Sequence, residues 1–313
     1  MIANHTSFMR FEQVSRCSAL WYDIFNKANN KSPFVSYEWF TALCNSILND
    51  DPEIMICWDK SRPIGIIPGV IRNNTLTFLI DERVTDLIDI IALPGYEHQI
   101  VETLASFITS NDLQVNISPL ETESPLCKML PALVNDITMT RADICPILTL
   151  ADSWTEYLNG LSAKLRHELR RKMRKASEFE IRTVDRSQLD IFFKLMAVSN
   201  VNKANFLQEE IYDFFDTIAD LFSTKQWLRM RTAFADSKPI AALYAFQMND
   251  HIYLYNSGFD PIFSRSSPGI VLIGKDIMAA IDEGMKYYDF LRGDEEYKSR
   301  FGAQTRYTMR LMR

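Results

Sequence analysis

The densest set of reactive side chains in the chain is the run YDFLRGDEEYKSRFG, Tyr288 to Gly302. A short apolar, strand-like pattern at Tyr287 to Leu291 carries Asp289 among apolar neighbours, and burial there raises a carboxyl pKa toward the range of a general base. The helix-like stretch Asp294 to Phe301 follows, bringing Glu295, Glu296, Tyr297, Lys298 and Arg300 close to the strand end. Two readings fit these residues: an acid–base site, or a structural ion-pair network.

Two further clusters bear on ligands. Asn256-Ser257-Gly258-Phe259-Asp260-Pro261 leads into Arg265-Ser266-Ser267-Pro268-Gly269 and the helical spacing Ile270, Ile273, Ile277, Ile281. Ser267 suits a helix N-cap and Pro268 the first helical position. Such a helix start offers free N–H groups and a positive dipole end to a phosphate, although an ordinary capped helix has the same sequence. The other cluster is LSAKLRHELRRKMRKASE, Leu161 to Glu178, with Leu161, Leu165, Leu169 and Met173 on one face and Lys164, Arg166, Arg170, Arg171, Lys172, Arg174 and Lys175 around it. It reads as an anion-binding stripe or as a solvated face neutralised by nearby carboxylates.

The elements that must position these residues occur twice. Helical periodicity over Ser36 to Leu48 precedes a strand Glu53 to Trp58, the turn Asp59-Lys60-Ser61-Arg62-Pro63, a strand Ile64 to Ile71, Asn73-Asn74, and a strand Leu76 to Ile80. In the same order, a helix Glu210 to Phe222 precedes Trp227 to Ala235, the turn Asp236-Ser237-Lys238-Pro239, Ile240 to Met248, Asn249-Asp250, and Ile252 to Asn256. Leu93-Pro94-Gly95 answers Ser267-Pro268-Gly269, and Leu113 to Ile117 answers Tyr287 to Leu291. Two similar domains are expected, residues 1–150 and 151–313.

The remaining composition narrows the classes. A net charge of -6 argues against general nucleic-acid affinity. The five cysteines form no CxxC pair and the four histidines, His5, His98, His167 and His251, are scattered, so neither a disulfide framework nor a metal is expected. With no signal-peptide core and no transmembrane segment of about 20 apolar residues, a cytoplasmic setting is expected.

Residues 150 to 307 resemble the BioF2/CelD-type acetyltransferases, a branch of the GNAT superfamily related to the FemAB peptidyltransferases. The pieces that carry the likeness are LRHELRRKMRKA, DSKPIAALYAF, YLYNSGFDP, SSPGIVL and YDFLRGDEEYKSRFG. The resemblance implies an α+β chain of two tandem GNAT-like domains, each a mixed, splayed β-sheet flanked by helices. It implies an N-acyltransferase with acetyl-CoA or another acyl-CoA as donor, a small-molecule or peptide amine as acceptor, and direct attack without a covalent intermediate. The alternatives are a FemAB-like transferase using aminoacyl-tRNA and a non-catalytic binding protein of the same fold.

By the same resemblance the donor contacts Tyr255, Asn256, Ser257, Arg265, Ser267 and Gly269, with amides near Tyr255 to Ser257 polarising the carbonyl. Asp289 or Glu295 is the base, Tyr297 the acid, and Lys298 orients a carboxylate or binds acceptor charge. Arg166, Arg170 and Arg171 receive an anion, a tRNA or an acyl carrier protein. The pyrophosphate signature Q/RxxGxG/A is only approximated by Arg265-Ser266-Ser267-Pro268-Gly269-Ile270-Val271. The first half has Asn116 where the second has Asp289 and lacks the cluster that follows, so it is expected to be non-catalytic.

Overall fold

A computed structural model describes residues 7–175 and 178–313. His5, and Ala176 and Ser177 near the end of the basic stretch, lie outside them. The chain divides into two compact units, residues 1–143 with 307–313, and residues 144–306.

The first unit opens with β1 (Ser7–Gln13), α1 (Ser18–Lys27) and α2 (Tyr37–Ala42), the last running into a π-helical turn over Leu43–Leu48. Strands β2 (Glu53–Asp59), β3 (Arg62–Ile67), β4 (Gly69–Arg72), β5 (Thr75–Phe78) and β6 (Ile91–Ala92) follow, then α3 (Glu97–Ser110), β7 (Gln114–Glu121), α4 (Pro125–Leu133) and β8 (Thr138–Ile144). The run Ile64 to Ile71, expected as one strand, is cut at Pro68, which has no N–H to give to a ladder. On either side of it β3 pairs with β2 and β6, and β4 pairs with β5. One strand pattern thus serves two sheets.

The second unit is built on β9 (Ile147–Thr149), α5 (Trp154–Gly160), α6 (Ala163–Lys175), β10 (Glu180–Val184), α7 (Leu189–Ser199), α8 (Val201–Phe206), α9 (Glu209–Thr224), β11 (Leu228–Ala235), β12 (Lys238–Met248), β13 (His251–Phe259), α10 (Pro268–Asp282), β14 (Tyr287–Asp289) and α11 (Glu296–Ser299). Its six-stranded sheet has the order β10-β11-β12-β13-β14-β9. The turn between β11 and β12 puts Asp236 and Ser237 at φ 48° and 65°, the left-handed pair that a two-residue hairpin requires. Asn73 and Asn74 do the same between β4 and β5.

The chain's last strand, β15 (Tyr307–Met312), belongs to the first unit, where it pairs with β7 in a sheet ordered β4-β5-β7-β15-β8. A second domain running to residue 313 therefore gives up its final strand. The internal repeat is visible in the pairing. β7 lies parallel to β5 over Gln114–Asn116, as β14 lies parallel to β13 over Tyr287–Asp289. Asn116 and Asp289 each close that three-residue ladder, so they are register counterparts.

In the second unit the parallel ladder stops at Tyr253 and Asp289, while β13 runs on to Phe259. The two strands separate there, and the gap is the place where a ligand can enter. Helix α10 is held to the sheet by Asp276, which takes Arg229 Nε at 2.8 Å and the Tyr288 hydroxyl at 2.9 Å. Arg231 Nε lies 2.8 Å from the same carboxylate. A buried carboxylate this well surrounded fixes the helix axially rather than merely covering it.

Candidate active site

Where β13 and β14 part, a cavity of about 390 Å³ is lined by five parts of the second unit. Strand β13 contributes Ser257 and Phe259, and the first two turns of α10 with the residue before them contribute Ser267, Pro268, Gly269, Ile270 and Ile273. The segment after β14 contributes Glu295, Tyr297 and Arg300; the α7–α8 junction adds Ser199, Asn200 and Lys203, and α6 adds Lys172.

The wall made by β13 depends on two local features. Tyr244 pairs with Asn256 and Ala245 with Leu254, leaving Tyr255 as an extra residue, a bulge that bends the strand. Its ring packs against Phe215 and Phe246, so Tyr255 is outside the cavity lining. At Gly258, a Cβ would stand 2.4 Å from the Met196 amide nitrogen, so glycine is what allows α7 to lie against β13.

At the start of α10, Ser267 occupies the N-cap position but in the left-handed region, φ 52°, and its side chain caps nothing. Pro268 has no N–H, which leaves the amides of Gly269 and Ile270 ahead of the first intrahelical bond, Val271 N to Ser267 O at 3.1 Å. Two amides and a dipole end thus stand at a cavity whose apolar lining includes Phe259, Ile270 and Ile273. This fits a phosphate followed by an apolar group. Arg265 is exposed and does not line the cavity; its carbonyl accepts from Lys175 at 3.2 Å.

The titratable run resolves into unequal parts. Asp289 is 1% exposed, outside the lining, and fully engaged: Arg306 Nη2 lies 2.5 Å from one carboxylate oxygen and the Leu291 amide donates to the other at 2.8 Å. Burial pushes its pKa up, and Arg306 pulls it back. Lys298 is 3% exposed and donates to the carbonyls of Leu291, Arg292 and Gly293 at 3.3, 2.8 and 3.1 Å. It also lies 2.9 Å from Glu295 Oε2. An ammonium with three protons and four oxygens around it has nothing left for acceptor charge, though it does orient a carboxylate. That carboxylate, Glu295, is 52% exposed and faces the cavity.

Tyr297 is within the lining, and its phenol is hydrogen-bonded with Ser257; burial pushes its pKa well up, so it stays protonated. The helix expected over Asp294 to Phe301 shrinks to the single turn of α11, because Leu291 at φ 54° and Gly293 at φ 121° fold the preceding chain back on Lys298.

The basic helix α6 buries Leu169 and packs Leu165 and Met173 against the core, as the four-residue spacing predicts. Arg170 and Arg171 are exposed, and Arg166 approaches Asn159 at 3.5 Å; none of the three lines the cavity. Lys172 does, paired with Glu168 at 3.1 Å. Sequence reasoning missed Lys203. Its Nζ donates to Asn256 Oδ1 at 2.9 Å and to the Ser257 carbonyl, and burial pushes its pKa down to about 8. Among the described residues, no group of three or more His, Cys, Asp or Glu side chains could hold a metal ion, and no helix is long and apolar enough to cross a membrane.

Residues 163–299, enclosing most of this cavity, match the model of the acetyltransferase (GNAT) domain family. Among solved structures, FemX has a TM-score of 0.67 at 11% identity, covering 96% of both chains. A tandem GNAT protein from the clavulanic acid biosynthesis pathway has 0.50 at 9%, covering 97% of this chain and 98% of its own. The fold is GNAT-like. L-PGS from Bacillus licheniformis scores 0.54 at 11% identity, covering 81% of this chain and 82% of that one. At these identities the likeness is one of fold, an α+β chain of two tandem GNAT-like units. A comparison with curated proteins finds no match.

Proposed function

We propose that the chain is an N-acyltransferase of the BioF2/CelD-like branch that moves an acyl group from an acyl-CoA or other acyl thioester to an amine. The observation that carries this reading is the convergence, in one cavity, of the α10 amides, Ser257, Tyr297 and a solvent-reachable carboxylate, Glu295. The donor's phosphate lies at Gly269 and Ile270, and its acyl end lies between Phe259 and Ile273. Glu295 takes the proton from the attacking amine, a role Asp289 cannot fill from behind Arg306. Tyr297, which keeps its proton, stands beside the departing sulfur.

Mass action gives a direct test, because a donor selective for the native state raises the melting temperature. Acetyl-CoA or a longer acyl-CoA is expected to do so, with mass spectrometry then detecting an acylated amine. No shift with any thioester at saturation overturns this donor.

The exposed Arg170 and Arg171 on α6 favour a second donor, aminoacyl-tRNA, and the likeness to FemX supports it. In that case charged tRNA gives the shift, ribonuclease abolishes activity, and charge reversal at both arginines weakens binding. An acyl carrier protein would meet the same face. Ligand binding without turnover in any combination would instead leave a binding protein of this fold.

A further inference from the structure

The usual device for polarising an acyl carbonyl is a pair of aimed backbone amides. On β13 the amide of Ser257 is not available for it, because Asn256 Oδ1 accepts that N–H at 2.9 Å. The same Oδ1 accepts from Lys203 Nζ, whose second acceptor is the Ser257 carbonyl. Three groups on β13 are thereby spent on one another and on a lysine, and that lysine lines the cavity. An ammonium has three protons, and two oxygens account for two of them.

We propose that Lys203 is a catalytic residue that stabilises the negative charge developing on the acyl carbonyl oxygen, in place of the Ser257 amide. This deepens the transferase reading and rests on it. The amine nitrogen forms the new C–N bond, and the carbonyl π electrons move to oxygen beside Lys203 Nζ. The pair then re-forms the carbonyl as the C–S bond breaks, and the electron pair leaves on sulfur. Glu295 takes the amine proton, and the thiolate, beside the Tyr297 hydroxyl, is protonated from water. Lys203 keeps its proton throughout and supplies charge alone.

Position and surroundings suit the role. Asn200 caps α8 through the Asn202 amide at 2.7 Å, fixing the turn that delivers Lys203 to the cavity. The charged and titratable groups around it are Glu295, Tyr297, Lys298 and Arg300 from the segment after β14, with Lys172 from α6. Burial lowers the lysine pKa most, Lys298 lowers it further, and Glu295 raises it, to about 8. The charge is therefore present at neutral pH and lost above that value.

The experiment compares wild type, Lys203→Met and Lys203→Arg with whichever donor the thermal-shift screen selects. Lys203→Met is expected to lower kcat about 10²–10³-fold with KM little changed, the cost of losing one oxyanion-hole donor. Lys203→Arg, which keeps a donor and a positive charge that is not lost by deprotonation in this pH range, is expected to recover most of that loss. It is also expected to remove the fall in wild-type kcat above about pH 8. Near-normal kcat in folded Lys203→Met, or an arginine variant as inactive as the methionine one, overturns the assignment while leaving the transferase reading intact. A wild-type protein that turns over no donor overturns both.

Discussion

Asp289 and Arg306 form an ion pair at 2.5 Å on a carboxylate whose other oxygen already takes the Leu291 amide. The pair sits at the foot of the parting strands and holds the turn that leads to Glu295. It acts on the site through the backbone.

Asp289→Asn is accordingly expected to cost about 3 kcal/mol of stability, the range for removing one partner of a buried pair. Urea denaturation measures the loss. Turnover below the transition should stay within a few-fold of wild type; a collapse of kcat in folded protein would return the base to Asp289.

Glu295→Gln keeps the shape and removes the proton acceptor. Turnover is expected to fall about 10²-fold or more, with little change in melting temperature, since the carboxylate is half in water and Lys298 retains three carbonyl partners. Steady-state kinetics beside a thermal melt separates the two effects.

Gly258→Ala would drive a methyl group into the backbone of Leu195 and Met196. A loss of about 3 kcal/mol is expected from such overpacking. Because the displaced helix leads into Ser199, Asn200 and Lys203, the donor-induced melting shift should shrink as well, which paired melts with and without ligand can read.

In the first unit, burial raises the Asp89 pKa to about 7, against hydrogen bonds from Ser124 and the Ile90 amide. Its folded-state value exceeds its unfolded one, so its contribution is fully present below about pH 3.8 and is lost as pH rises from there through about 7. Asp89→Asn should therefore raise the melting temperature at pH 8 by a few degrees and not below about pH 3.8. Equal effects at both would exclude a titrating Asp89.

The parts of this fold legible in sequence were those written locally. Asp236-Ser237 and Asn73-Asn74 each mark a hairpin by their own tolerance of left-handed backbone, and the two sets of turns revealed the repeat. The site was legible where a motif coincides with an element end, as at Ser267 to Gly269, Ser257 and Tyr297. The apolar neighbours of Asp289 are plain in the sequence, but its partner lies 17 residues away across a turn that no periodicity announces. Lys203 had no signal at all. It stands in a one-and-a-half-turn polar helix, and only the approach of α7 to Gly258 brings it to β13.

β15 lies between β7 and β8 in the first unit's sheet, although more than 160 residues of the second unit come before it in the chain. During synthesis, β7 must wait with an open edge until Tyr307–Met312 leave the ribosome, by which time the cavity-bearing unit has already been made. The first unit to begin is thus the last to close, and a nascent chain stalled before Tyr307 presents an unpaired strand to whatever it meets.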